Sequence, residues 1–165
     1  MSELHIRRAK PKDMDAVLDL WQEMMAYHAR LDPRFLPTAD SRDHFETTLQ
    51  QWMMDDQQRV LVALQGDRIV GYTIGRVAEN PPLFEPRFFG HVSDICVAPD
   101  WRRKGVGRRL FAALCQWFQR QGISVVQLHV AAANAVSQAF WREMGFDPYM
   151  HRMWLDLAPD QGGDK

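Results

Sequence analysis

Residues 95–110, Ile95-Cys96-Val97-Ala98-Pro99-Asp100-Trp101-Arg102-Arg103-Lys104-Gly105-Val106-Gly107-Arg108-Arg109-Leu110, constrain the fold more than any other stretch. An apolar run is broken at Pro99-Asp100, and a basic loop with two glycines then feeds an amphipathic pattern. That order predicts a strand, a sharp turn, and a loop opening a helix. The first N–H groups of a helix have no partner inside it, and the helix dipole is positive at the same end. Gly105 and Gly107 carry no Cβ, so the backbone can approach a bound group closely and adopt positive φ. The segment therefore predicts an anion-binding strand–loop–helix suited to a phosphate or pyrophosphate, ringed by Arg102, Arg103, Lys104, Arg108 and Arg109.

The spacing excludes two common phosphate loops. A nucleoside-triphosphate loop needs Lys-Ser/Thr after its last glycine, and here Arg108-Arg109 follow Gly107. A dinucleotide fingerprint needs a third glycine, and Leu110 stands in its place. The pattern that fits is Arg/Gln-x-x-Gly-x-Gly, met by Arg102-Arg103-Lys104-Gly105-Val106-Gly107. This closely resembles the acetyl-CoA pyrophosphate loop of the GNAT superfamily of acyl-CoA-dependent N-acyltransferases. A second segment is similar to the same family's later motif: the strand Leu128-His129-Val130, then Asn134, a helix over 135–144, and Gly145-Phe146. Gly145 reads as a helix C-cap, and Asn134 reads as a plain N-cap or as the family's pantetheine-contacting Asn.

Composition narrows the class. With 165 residues, the chain reads as one domain over 1–158 with a flexible tail at 159–165, large enough to bury about two-thirds of its unfolded surface. A formal net charge of −1 supplies no field toward nucleic acid or membrane, so the positive charge at 102–109 is local. The two cysteines, Cys96 and Cys115, fall in apolar contexts and read as reduced thiols, not as a disulfide or a metal site. No secretory or membrane-spanning apolar stretch is present, so a cytoplasmic location is expected.

Periodicity predicts a strand at 4–8, a helix over 13–29 and a second near 41–54. A hairpin follows with strands at 60–64 and 69–75 around Gln65-Gly66-Asp67-Arg68. A strand over 90–97, the helix after the basic loop, a strand at 125–130, the short helix and a last strand near 148–157 complete the order. That order matches the mixed α/β GNAT fold: mainly antiparallel N-terminal strands, a central splayed sheet and flanking helices.

The resemblance implies direct acetyl transfer from acetyl-CoA to a primary amine in a ternary complex. Ile95, Cys96 and Val97 then line the pantetheine through their main chains, Arg102, Arg103, Lys104, Gly105, Val106, Gly107 and Arg108 hold the pyrophosphate, and Asn134 and Trp141 lie beside the arm. Trp141 stands where the family usually has a Tyr acid, which leaves Tyr149 or water to protonate the departing thiolate. A general base must take the amine proton. His91 falls where some relatives carry a catalytic Glu, and Asp94 is the other candidate; each has a bland reading, a solvated strand end and a turn anchor. Tyr27 and His28, at the end of the first helix, fall where this fold builds its acceptor pocket. His129 reads as a hydrogen-bonded core residue. Glu79, Glu85, Asp32, Asp40 and Asp43 would suit a cationic amine, although solvated loop charge is the commoner explanation. The acceptor is a small-molecule or peptide amine, no metal is called for, and a homodimer, common among relatives, would be permitted by an exposed edge from the last strands. A non-catalytic acyl-CoA sensor is the second reading, and a nucleic-acid patch at 102–109 is disfavoured by the net charge.

Overall fold

The computed structural model describes residues 3–157. The expected flexible tail at 159–165 lies outside the described residues. β1 (Leu4–Arg8) leads through a 3-10 turn at Pro11–Asp13 into α1 (Met14–Leu31), and a second such turn at Pro33–Phe35 precedes α2 (Ser41–Met54). β2 (Gln58–Gln65) and β3 (Arg68–Glu79) form the expected hairpin, followed by β4 (Phe88–Val97), α3 (Val106–Arg120), β5 (Val126–Leu128) and α4 (Ala135–Glu143). Among the described residues no helix is long and apolar enough to cross a membrane.

The sheet runs in the order β1-β2-β3-β4-β5, antiparallel through β4 and parallel between β4 and β5. Its two faces are both covered, which is why the run Val60-Leu61-Val62-Ala63 is apolar without alternation. Val60, Val62, Tyr72, Ile74 and Cys96 pack under α1 and α2. Leu61, Ala63, Val70 and Val92 pack under α3 and α4. Trp21 of α1 stacks on Phe45 of α2 with ring centroids 4.4 Å apart. On the other face, glycines let α3 approach the strands. A Cβ at Gly75 would lie 2.8 Å from Leu114 Cδ1, and one at Gly90 would lie 2.8 Å from the Phe118 ring.

Two irregularities in β4 set up the site. The pairing of β4 with β5 covers only Gly90, His91 and Val92, so beyond Val92 the strands part and Ser93–Val97 face an open splay. The register against β3 also jumps, with Ile74 opposite Asp94 but Gly75 opposite Val92, which leaves Ser93 as the extra residue of a bulge. Side chains three apart on a strand normally point to opposite faces. The bulge puts His91 and Asp94 on the same face, the one carrying Tyr72 and Cys96.

The expected strand near 148–157 does not form. Residues 146–157 have no regular structure, and Met153, Leu155 and Leu157 are each more than 80% exposed. β5 offers only three residues to pair with, and Pro148 brings no N–H to a ladder. β5 is shorter than the expected 125–130 for the same reason: it pairs only where β4 has not yet diverged.

Candidate active site

The loop before α3 takes its shape from a tight turn and two left-handed residues. A 3-10 turn at Pro99–Trp101 reverses the chain after β4. Arg103 (φ 60°) and Gly105 (φ 80°) are both left-handed, and Gly105 occupies the N-cap of α3 with no side-chain cap. The first intrahelical bond is Arg109 N–H to Gly105 O at 3.1 Å, so the N–H groups of Val106, Gly107 and Arg108 have no acceptor within the helix. A Cβ on Gly105 would meet nothing within 4 Å, so the space above the loop is open. Gly107 differs: a Cβ there would touch the Phe140 ring at 3.4 Å, so its missing side chain makes room for α4 rather than for a ligand.

The basic side chains are less free than their sequence suggests. Arg102 donates to Val97 O (2.9 Å) and to Glu23 (3.0 Å), pinning the loop to α1. Arg108 pairs with Glu143 at 2.7 Å, and Arg109 donates to Leu4 O at 2.7 Å. Lys104 lies over the Trp101 ring, 4.8 Å from its centroid. Arg103 alone of the five has no such partner among the described residues. The loop thus leaves the N–H groups of Val106, Gly107 and Arg108 without an acceptor in the helix, and Arg103 and Lys104 without an ion-pair partner among the described residues.

Beside the splay, Ile95 and Val97 point toward α3 and α4, and Cys96 points the other way. The Cys96 thiol donates to Leu20 O at 3.4 Å, and burial pushes its pKa up to about 12, so it is no nucleophile. Asn134 is buried. Its Oδ1 accepts from Ser137 N at 3.0 Å, capping α4, while its Nδ2 lies 3.2 Å from His28 Nε2. His28 is therefore tied to the N-cap residue of α4, and burial lowers its pKa. Tyr27 beside it is half-buried, with the Arg30 guanidinium 5.8 Å from its ring centroid. Trp141 is 7% exposed and enclosed by Phe111, Phe140 and Phe146, so its ring packs the core under α4.

The opposite face of the splay gathers polar groups from three strands. Arg76, His91 and Gln127 are direct cross-strand partners and share this face. His129 is exposed there, 5.4 Å from the His91 ring; it is not the core histidine its strand context suggested. Tyr149 donates to Gln127 Oε1 at 3.1 Å, which brings the residue after α4 back to the same place. Burial, then Arg76, then His129 lower the His91 pKa to about 4. Burial raises Asp94 to about 6, and its carboxylate has no hydrogen-bond or ion-pair partner among the described residues. Arg76, Gln127 and the exposed His129 escaped the sequence reading because only strand register brings them together.

The loop carboxylates do not converge on this face. Glu79 pairs with Arg87 (2.7 Å), Asp32 with Arg34 (2.5 Å) and Asp40 with His44 (2.8 Å), while Glu85 accepts from Arg87 N at 3.0 Å. Asp43 is exposed in the first turn of α2.

Comparison with known proteins agrees with this geometry. An uncharacterized N-acetyltransferase of Archaeoglobus fulgidus is 25% identical over 142 residues, covering 84% of this chain and 89% of that protein. In structure, the tetramutant of the BH1408 protein from Bacillus halodurans superposes with a TM-score of 0.80 at 22% identity, covering 93% of this chain and 99% of that one. The aminoglycoside 6'-N-acetyltransferase AAC(6')-IG from Acinetobacter haemolyticus gives 0.75 at 18% identity, covering 94% and 99%. Residues 19–146 match the model of the acetyltransferase (GNAT) family, and the chain therefore belongs to that family of acetyl-CoA-using N-acyltransferases.

Proposed function

We propose that this protein transfers the acetyl group of acetyl-CoA to a primary amine of a small molecule or peptide by direct attack. The observation that carries the proposal is the splay beyond Val92 beside an uncapped α3 N-terminus. In this reading the N–H groups of Val106, Gly107 and Arg108 bind the pyrophosphate, with Arg103 and Lys104 closing over it. The pantetheine runs along Ile95, Cys96 and Val97, past Asn134, and the thioester reaches the bulge at Ser93. The amine nitrogen attacks the acetyl carbonyl carbon, the C–N bond forms, and collapse breaks the C–S bond with the electron pair leaving on sulfur.

Asp94 takes the proton that the amine loses. Its pKa of about 6 keeps it ionised at neutral pH yet basic enough to act, whereas His91 near 4 holds a proton too weakly. The thiolate takes a proton from Tyr149 or from water, and a thiol near 8.5 leaves without strong assistance. Trp141, buried in its aromatic cluster, supports packing of α4 rather than contact with the arm.

Two broader expectations belong to the same proposal. Unpaired Cys96 and Cys115 fit a reducing, cytoplasmic setting. The exposed apolar residues of 149–157, together with the edge of β5 left unpaired among the described residues, fit a homodimer.

Thermal unfolding with acetyl-CoA tests the cofactor assignment. At about 100 times its Kd a ligand adds roughly 2.7 kcal/mol, a rise of about 5–10 °C for a chain of this size. A Gly105→Val variant, whose methyls enter the open space over the loop at a left-handed residue, should fold with a lower Tm and show no ligand-induced rise. No rise with the native loop would refute the assignment.

A further inference from the structure

Resting on the acetyltransferase reading above, we propose that the acceptor is a small zwitterionic amine, an amino acid whose carboxylate is held by Arg76 while its amine faces Asp94. The placement comes from strand register. Ile74 lies opposite Asp94, and Arg76 lies two residues further along β3, opposite His91. The two rows are about 6.6 Å apart along the strand, and the bulge at Ser93 puts them on one face. A long Arg side chain spans that step easily.

Charges one row apart on one face would ordinarily pair. Here they do not: among the described residues neither Arg76 nor Asp94 has an ion-pair partner, and no cation offsets the burial that lifts Asp94. One unpaired cation and one unpaired anion are thus set side by side at the mouth of the splay. Flanking them, His91 and Gln127 offer neutral hydrogen-bonding groups. An ammonium next to a carboxylate is complementary to this pair. A polycation is not, because it would need several free carboxylates around its amines, and Glu79, Asp32 and Glu23 are each already held by an arginine of this chain.

The test is thiol release from acetyl-CoA with a panel of free amino acids, each beside its methyl ester, together with an alanine-initiated tetrapeptide and sisomicin. Arg76→Gln is assayed in parallel. Esterification removes the carboxylate and lowers the pKa of the amine, which by itself favours attack, so a loss of rate reports the lost carboxylate contact. The expected result is turnover of a subset of free amino acids with kcat/KM about tenfold or more above their esters. In Arg76→Gln the acid–ester ratio should fall to within about twofold, through KM for the acid, with KM for acetyl-CoA unchanged. Equal use of acid and ester, preference for sisomicin or the tetrapeptide, or an acid–ester ratio unaltered by Arg76→Gln would each overturn the proposal. Thiol release from none of the amines, with the acetyl-CoA thermal shift intact, would overturn the acceptor assignment alone. Loss of that shift would instead overturn the reading beneath it.

Discussion

Asp94 is costly to the fold, and in the proposed mechanism that same cost makes it a base. Burial raises its carboxyl from 3.8 to about 6. A group raised in the folded state stabilises when protonated: the benefit is complete below about pH 4 and is lost as pH rises through about 6. At neutral pH the ionised carboxylate costs up to about 3 kcal/mol. Asp94→Asn should therefore raise Tm at pH 7.5 by several degrees while lowering kcat at least about 100-fold. The acidic limb of the pH–rate profile, near pH 6 in the native enzyme, should vanish with it. A variant within twofold of native turnover would remove Asp94 from the chemistry. At this scale the sequence was legible where a role depends on near neighbours. Gly105 could be read as a left-handed opening to a helix, and Asn134 as a cap. The competition between His91 and Asp94 could not be read, because both pKa values are set by burial under distant elements. Nor could the capture of Arg102 by Glu23, which is 79 residues away.

The elements themselves follow from local pattern wherever amphipathicity is strong. α3 buries Leu110, Leu114, Trp117 and Phe118 on one face, as the spacing predicts, and the hairpin turns at Gly66-Asp67 as expected. The bulge left no trace in the sequence, since Ser93 carries no turn chemistry, and the splay was expected only through the family resemblance, the parting of β4 from β5 being a property of pairing. What the sequence does hold is the means of placing α3: glycines at 75 and 90 where the helix presses on the sheet. This makes a sharp prediction for the element. Gly90→Ala would put a Cβ 2.8 Å from the ring of the fully buried Phe118, which has no room to yield. Overpacking of that kind costs about 1–3 kcal/mol, a fall in Tm of roughly 3–10 °C. Because Gly90 pairs with Val126 at the foot of the splay, the shift should also widen the gap and weaken acetyl-CoA binding. Calorimetry on the variant showing an unchanged Tm would mean that α3 can slide, and that the glycines do not set its height.

For the whole molecule, the open question is the segment that was expected to be its last strand. Tyr149, Met150, Met153, Trp154, Leu155 and Leu157 are all more than 60% exposed, a density of apolar surface that a soluble monomer rarely leaves in water. Tyr149 reaches β5 through Gln127, and the outer edge of β5 is unpaired among the described residues, with Val125 and Val130 partly exposed at its two ends. At a period of two, Tyr149, Met153, Leu155 and Leu157 fall on one side with His151, and Arg152 and Asp156 on the other with Met150 and Trp154. An unpaired edge and an unpaired apolar segment in the same chain can pair between two copies, and a stable interface of that kind covers on the order of 800 Å² per copy. The protein should therefore run as a dimer by light scattering at micromolar concentration. Changing Met153, Leu155 and Leu157 together to Ser should give a monomer whose far-ultraviolet dichroism per residue is close to native, because no core contact of the sheet is removed. The monomer should also lose acceptor turnover more than acetyl-CoA binding, since Tyr149 and its bond to Gln127 tie this segment to the acceptor face and not to the loop before α3. A native protein that stays monomeric at 50–100 times the assay concentration would leave the segment without a partner copy.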